Sequence, residues 1–159
     1  AKEPDWQAAI DDSLSTFASV MTSADLMNGA GLLNGSKILS YPHMVMETEI
    51  YSIVQKVAGG IEVSDETLAL DVIKKVGHNG TYLAEKHTRA HMKEIWRPSV
   101  WDRTPYDTWL REGKKGALLK ATVIADDILE NHRPVALPED VVNELRAIVD
   151  RADKEPPGP

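Results

Sequence analysis

Two histidines are the residues of this sequence whose type and spacing most directly suggest chemistry. His87 and His91 stand four residues apart on a predicted helix, so both rings lie on one face, the geometry of a two-histidine metal site. The residues between them do not form a His-Glu-x-x-His motif, Arg89 adds a positive charge, and the sequence identifies no third ligand. We therefore predict surface or interhelical hydrogen bonding and assign no metal ligand, with a small metalloenzyme as an alternative hypothesis.

The second candidate is the segment Ala24–Gly35, in which a short apolar stretch is followed directly by closely spaced glycines. Gly29 and Gly31 flank a small alanine and allow the backbone to turn tightly or to approach a ligand. A Gly-x-Gly pair without a third glycine is not a dinucleotide-binding fingerprint. The segment is therefore either a tight structural turn or a ligand-facing loop, and both hypotheses stay open.

The position of this segment between two predicted helices is the position of a strand in a βαβ unit. We predict a short strand at Asp25–Asn28, which places Asn28–Gly31 at its carboxyl end. Sites in barrels and doubly wound folds usually lie at the carboxyl ends of their strands. Asn28, Gly29 and Gly31 are therefore the candidate binding residues.

Composition excludes several classes of function. The net charge of −7 over 159 residues argues against nonspecific binding to nucleic acid or anionic lipid. The absence of cysteine excludes disulfides, thiolate catalysis and cysteine-ligated zinc. No apolar run approaches the roughly 20 residues needed to cross a bilayer, and the first residues lack the apolar core of a signal peptide. We expect a cytoplasmic protein of one domain, or part of a larger one.

Helical periodicity recurs along the chain and strand-like alternation is nearly absent, so the isolated chain is predicted to be predominantly α. Apolar residues at three- and four-residue steps predict a helix over Asp5–Met21 with one buried face. That predicted core face comprises Trp6, Ile10, Leu14, Phe17 and Met21. Further helices are predicted after the caps Ser40 and Ser64, over residues 82–95, from Ala117 to near Asn131, and after Pro138.

Three further segments have predicted roles. In the helix capped by Ser64, four residues are predicted to face inward, namely Leu68, Val72, Ile73 and Val76. The aromatic, proline-broken segment Trp96–Asp107 is predicted to be an ordered connection packed on a body, or an interface patch. Residues 155–159 are predicted to be a disordered tail from their composition.

Four stretches, taken in order, resemble the carboxyl-terminal third of the trimethylamine:corrinoid methyltransferase family. They are Asp25–Leu33, Gly60–Val76, Tyr82–His91 with its His-Thr-x-x-His, and Asp102–Gly113 with its Asp-Arg-x-x-Tyr-x-x-Trp-x-x-x-Gly. The closing stretch Leu145–Lys154 also fits the family pattern. The order and spacing of these stretches, rather than any single motif, carry a resemblance that covers nearly the whole chain.

The resemblance implies a (β/α)₈ TIM barrel with a helical carboxyl-terminal extension. Residues 1–58 would be the last part of the barrel (a helix, the last strand and the last helix) and residues 59–154 the extension. The family moves a methyl group from a methylated amine, in methylamine metabolism and methanogenesis, to Co(I) of a separate corrinoid protein. The resemblance thus implies a corrinoid on a partner protein and no cofactor bound by this chain. Asn28, Gly29 and Gly31 would face the amine and the corrinoid.

The resemblance also implies that the catalytic residue lies outside this chain. A whole barrel typically needs about 250 residues, and most of its strands are missing here. Family members that demethylate trimethylamine carry pyrrolysine, encoded by an amber codon, a few residues before a stretch similar to Ala1–Asp5. We therefore expect this chain to begin just after that position, with an amber codon read as a stop, and to be inactive alone. Relatives without pyrrolysine use amines such as glycine betaine, so the substrate amine stays open.

The alternative function is a non-enzymatic helical module that binds a partner protein through Trp96–Trp109. In either case, helices that would cover a barrel have apolar faces, and these faces lack a partner when most of the barrel is missing. Large exposed apolar patches associate, so we expect a homo-oligomer.

Overall fold

The computed structural model of the chain describes residues 1–154 and is dominated by helices, which confirms the predominantly α prediction. The helices are α1 (Trp6–Met21), α2 (Tyr41–Ala58), α3 (Asp65–Leu68), α4 (Leu70–Val76), α5 (Lys86–His91), a 3₁₀ helix (Met92–Glu94), α6 (Tyr106–Arg111), α7 (Ala117–Asn131) and α8 (Glu139–Ala152). The strands are β1 (Leu32–Leu33) and β2 (Ile38–Leu39). The predicted tail at residues 155–159 lies outside the described residues.

The chain divides into two units, residues 1–127 and residues 128–159. The first unit contains the packed pair α1 and α2, the hairpin between them and the helices up to most of α7. The second unit contains α8, four of whose apolar residues are exposed: Val141, Leu145, Ile148 and Val149. No helix within residues 1–154 is long and apolar enough to cross a membrane.

Side-chain caps set the starts of α1 and α2, as the sequence predicts. The Asp5 carboxylate accepts the Ala8 N–H at 3.1 Å, and the Ser40 hydroxyl accepts the His43 N–H at 3.3 Å. Pro42 lies in the first turn of α2, where its missing N–H has no helical partner to lose. Gly59 caps the end of α2, and the following Gly60 has a left-handed φ of 66°.

The face by which α1 packs on α2 differs from the prediction. Ala8 and Thr16 are buried at this contact, whereas the predicted core stripe is exposed, with Trp6 80% and Leu14 65% accessible. Ala8 and Thr16 are eight residues apart and therefore lie on one side of the helix. The periodicity predicted the helix, but the described residues supply no partner for its apolar stripe.

The predicted strand at Asp25–Asn28 is wrong for this chain, because these residues have no regular secondary structure. A strand needs a neighbour for its backbone N–H and C=O groups, and the described part of the chain offers none at this place. An antiparallel hairpin forms a few residues later, with Leu32 opposite Leu39 and Leu33 opposite Ile38. Of these, Leu33 is buried.

The predicted helix after Ser64 is interrupted. Ser64 and Thr67 form a capping box at the start of α3, but Ala69 adopts a left-handed φ of 47° and separates α3 from α4. Of the predicted inward face, Leu68 and Ile73 are exposed, so the prediction is wrong for them, whereas Val72 and Val76 are half-buried. The predicted helix over residues 82–95 is likewise shorter and consists of α5 and the 3₁₀ helix.

The aromatic connection before α6 is ordered and packed against α2, which agrees with the first of its two predicted roles. The Glu49 carboxylate accepts the backbone N–H groups of Ser99, Val100 and Trp101 and the Ser99 hydroxyl. Burial opposes ionisation of Glu49, but these hydrogen bonds, with Val100 first, outweigh it and hold its pKa below the usual range. Val100 is fully buried beside this carboxylate.

Candidate functional site

A polar cleft of about 320 Å³ lies between α1, α2 and the glycine-rich segment. Helix α1 lines it with hydroxyls and the Asp12 carboxylate, and α2 contributes Glu47 and Tyr51. The segment before β1 closes one side through Leu26, Met27, Asn28 and Gly29. The volume lies at the lower end of the range for small-molecule sites.

Gly31 anchors this segment to α2 rather than lining the cleft. Its backbone N–H donates to the Glu47 carboxylate, and its φ of 81° lies in the left-handed region. A Cβ at Gly31 would lie 2.9 Å from the Ser40 carbonyl oxygen and 3.0 Å from Cβ of Met44. Backbone conformation and close packing therefore explain this glycine without a ligand.

Asn28 and Gly29 lie on the side of the cleft that a ligand would contact. Both are exposed and line the cleft, and Gly29 has a φ of 99°. A Cβ at Gly29 would meet only Cδ1 of Leu32, at an ordinary 3.6 Å. The binding role of Asn28, Gly29 and Gly31 stays a prediction, and the geometry favours it for the first two.

Two carboxylates that line the cleft, Asp12 and Glu47, meet the buried His43, and the sequence analysis selected none of the three. Nε2 of His43 lies 3.1 Å from Oδ2 of Asp12 and 3.9 Å from Oε2 of Glu47. His43 is only 2% exposed, and within residues 1–154 its Nδ1 has no hydrogen-bond partner, whereas its Nε2 faces the Asp12 carboxylate. Oδ2 of Asp12 is also buried, with His43 as its ion-pair partner. Buried polar atoms of this kind are costly to leave unpaired, so this cluster is the most unusual polar environment of the first unit.

Burial shifts the pKa values of the ionisable groups that line the cleft. Burial raises the pKa of Asp12, and the His43 charge partly offsets this effect. Burial also raises the pKa of Glu47, although the Gly31 N–H works in the opposite direction. The pKa of Tyr51 is raised by burial and then by the charges of Glu47 and Asp12, which keeps its phenol neutral. A cation in the cleft would lower the cost of ionising both carboxylates.

One signal in the sequence points to part of this cluster. His43 and Glu47 are four residues apart in the first turns of a predicted helix, so they share a face. Asp12 follows a second aspartate on α1, and nothing local shows that it faces α2. The contact between these residues comes from helix packing, which the sequence alone does not specify.

The structure also brings a third side chain to His87 and His91. Nε2 of His87 contacts the Glu66 carbonyl oxygen at 2.8 Å, which agrees with the predicted hydrogen bonding. The Glu66 carboxylate lies beside both rings, whose centroids are 4.3 Å apart. Two groups of residues could thus hold a metal ion by proximity: Glu66, His87 and His91, and Asp12, His43 and Glu47.

Comparison with known proteins identifies the family. The family model for trimethylamine methyltransferase (MTTB) matches residues 1–157. Trimethylamine methyltransferase MttB of Desulfitobacterium hafniense is 39% identical over 155 residues, which are 98% of this chain and 31% of that protein. MttB of Methanosarcina barkeri is 35% identical over 154 residues, 97% of this chain and 31% of that protein.

A relative named for a different substrate is also similar. The glycine betaine methyltransferase of Desulfitobacterium hafniense strain Y51 is 35% identical over 118 residues, 74% of this chain and 24% of that protein. This chain therefore spans about a third of the length of the curated relatives that it matches, which cover it almost from end to end. The extent of these matches shows that the chain belongs to the trimethylamine methyltransferase family.

Proposed function

We propose that this chain is the carboxyl-terminal part of an enzyme that transfers a methyl group from trimethylamine, or from a related quaternary amine, to Co(I) of a partner corrinoid protein. The observation that carries the proposal is the family match over residues 1–157. Relatives named for trimethylamine and for glycine betaine both match, and both substrates are methylated amines. Methyl transfer is thus supported at the level of the family, and the individual amine stays open.

The proposed role of the cleft is to attract and orient the cationic amine. The corrinoid, as the methyl acceptor, supplies the nucleophile; the C–N bond breaks, and its electron pair stays on the departing amine. Asp12 and Glu47 offer negative charge, while Tyr51 offers a neutral aromatic face beside them. The Gly31 N–H fixes the orientation of the Glu47 carboxylate. Orientation and exclusion of water are the contributions that such a site makes to the rate.

We further propose that the chain is inactive alone, because it spans about a third of its relatives. On this proposal the catalytic position, a pyrrolysine in the trimethylamine enzymes, precedes Ala1, and residues 1–58 belong to a TIM barrel. A cytoplasmic location and homo-oligomer formation remain parts of the same proposal.

A charge-removing substitution in the cleft tests the proposed role. In the intact enzyme that contains this chain, Glu47→Gln keeps an acceptor for the Gly31 N–H but removes a negative charge. A carboxylate near 4 Å from a cation contributes about 1–4 kcal/mol, so we expect KM for the amine to rise about tenfold or more while kcat changes less. Glu144→Gln on α8 is the matched control. An unchanged KM in the folded Glu47→Gln enzyme would rule out this role for the cleft.

The alternative, a helical module that docks a partner through Trp96–Trp109, has less support. The Trp96 indole donates its N–H to the Ser52 hydroxyl at 2.7 Å, and its ring meets Trp101 edge-on at 5.8 Å. Arg103 lies over the same ring at 5.4 Å. These contacts use the aromatic side chains within the chain. Capture of the corrinoid protein by this chain that is lost in a Trp101→Ala variant, together with an intact protein that transfers no methyl group, would favour the alternative.

A further inference from the structure

His87 and His91 converge on one carboxylate oxygen. Nε2 of His91 lies 3.4 Å and Nε2 of His87 lies 3.8 Å from Oε1 of Glu66. A tetrahedral zinc ion with bonds of about 2.0–2.2 Å holds its ligand atoms roughly 3.3–3.6 Å apart. These two separations approach those of two edges of a zinc coordination sphere, and the three ligand atoms all lie within 4.8 Å of one another.

A second carboxylate, that of Glu94, binds Nδ1 of His91, the ring nitrogen that does not face Glu66. Nδ1 of His91 lies 2.8 Å from Oε1 of Glu94. A carboxylate at this nitrogen holds the proton there and leaves the Nε2 lone pair free for a metal ion. Glu94 is in the 3₁₀ helix that directly follows α5, so the support comes from the same short segment as the two histidines.

Zinc would displace one hydrogen bond of the metal-free chain. The 2.8 Å contact of His87 Nε2 with the Glu66 carbonyl oxygen uses the proton on that nitrogen. Metal binding needs the lone pair of Nε2, so the ring proton moves to Nδ1, and the ion takes the place of a contact that already joins the same two residues. The coordination therefore needs no new approach of backbone segments.

Arg89, which lies between the histidines in sequence, is held by another partner. Its guanidinium donates to the Ala84 carbonyl oxygen at 3.2 Å. A residue two positions from each histidine also lies on a different face of the helix. Its charge is therefore not directed at the three ligand atoms.

The surrounding segment has little packing to hold it together. Along residues 55–99, all of which the structure describes, no residue is buried. Helices α3 and α5 are separated by many residues and joined mainly by polar contacts, such as those of Glu66. Small units without sufficient apolar core are commonly stabilised by a bound metal. A metal at this point would tie α3 to α5 within this segment.

From this geometry we propose that Glu66, His87 and His91 form a zinc site that cross-links α3 to α5, with water as the fourth ligand. Two imidazoles and a carboxylate are ligands that zinc accepts, and three protein ligands leave an open position. The cluster of Asp12, His43 and Glu47 is a weaker candidate for the same ion, because the Glu47 oxygen that faces His43 already accepts a hydrogen bond from the Gly31 N–H. The proposal is independent of the methyl-transfer function.

Zinc content and affinity of the purified, tag-free protein test the proposal. We expect one zinc per chain by elemental analysis and by titration calorimetry with zinc chloride. Co²⁺ in the same site should show the visible absorption bands of tetrahedral coordination. His87→Ala and His91→Ala should each abolish stoichiometric binding, and Glu66→Gln should weaken it by about tenfold or more. The matched controls His78→Ala and His132→Ala remove exposed histidines elsewhere and should bind zinc like the parent.

Two results would overturn the site. The first is a parent protein with no more zinc, and no tighter binding, than the His87→Ala/His91→Ala double variant. The second is stoichiometric zinc that survives these substitutions and Glu66→Gln but is lost in Asp12→Asn. Helicity by circular dichroism, measured for every variant, shows that the comparison is between folded proteins, and Glu66→Gln preserves side-chain size if an alanine variant unfolds.

Discussion

At the scale of single residues, the glycine-rich segment contains two different kinds of glycine. Gly31 is held against the start of α2 and has no room for a side chain, whereas Gly35 has a φ of 62° and a Cβ added there would have no atom within 4 Å. Gly31→Ala combines left-handed strain with overpacking and should lower the free energy of unfolding by about 2–4 kcal/mol. Gly35→Ala should cost about 1–2 kcal/mol from strain alone. Urea denaturation of both variants checks the difference, and equal losses would contradict the packing argument.

Asp102 gives a residue-scale prediction about pH. Hydrogen bonds from Lys120 and then from Thr104 lower the pKa of Asp102 from its ordinary 3.8 to about 2. Because the folded pKa is the lower one, the ionised carboxylate stabilises the fold above about pH 4, and this contribution is lost as the pH falls toward 2. In the Asp102→Asn variant, the free energy of unfolding should therefore depend less on pH between these two values. Denaturation midpoints across this range test it, with Glu144→Gln as control, and an unchanged slope would contradict the assignment.

At the scale of elements, local signals predicted what is local. Asp5, Ser40 and Ser64 cap helices at the predicted places because a cap bonds to backbone groups two or three residues away. Which side of α1 is buried, and whether Asp12 contacts His43, depend on how α1 packs against α2. The sequence alone does not specify this packing. For the same reason the third residue beside His87 and His91 could not be named beforehand: Glu66 is more than 20 residues away.

Ala69 provides the test at this scale. Its φ of 47° interrupts what would otherwise be one helix, and an alanine has a steric cost there that glycine does not. Ala69→Gly should raise the free energy of unfolding by about 0.5–1 kcal/mol, whereas Ala147→Gly inside α8 should lower it by about the same amount. Thermal denaturation of the two variants measures both effects. Destabilisation by Ala69→Gly would mean that this residue is helical in solution.

At the scale of the whole molecule, the described chain leaves apolar faces uncovered. The exposed stripe of α1 includes Trp6 and Leu14, and α8 exposes Leu145 and Ile148. The chain spans about a third of the length of its relatives. Exposed apolar faces of this size are expected where the remaining two thirds of such a protein pack against them. The TIM-barrel assignment of residues 1–58 stays a prediction, since no barrel strand is present among residues 1–154.

Uncovered apolar stripes predict self-association of the chain. Sedimentation velocity should show species larger than the monomer, and the double variant Trp6→Gln/Leu14→Gln should shift them toward the monomer. Both side chains are exposed, so the substitutions remove apolar surface without opening a cavity. Val135→Gln, at a residue that is 95% exposed but outside the stripe, is the control. A parent chain that is monomeric at every concentration would contradict this prediction.

The most direct test of the methyl-transfer proposal is the absorbance of the corrinoid protein during reaction. The intact enzyme that contains this chain, mixed with its reduced corrinoid protein and a methylated amine, should convert the Co(I) spectrum to that of methylated Co(III). Trimethylamine and glycine betaine, tried separately, would identify the amine, and the 159-residue chain alone should leave the spectrum unchanged. A folded intact enzyme that methylates no corrinoid with any methylated amine would contradict the proposed function.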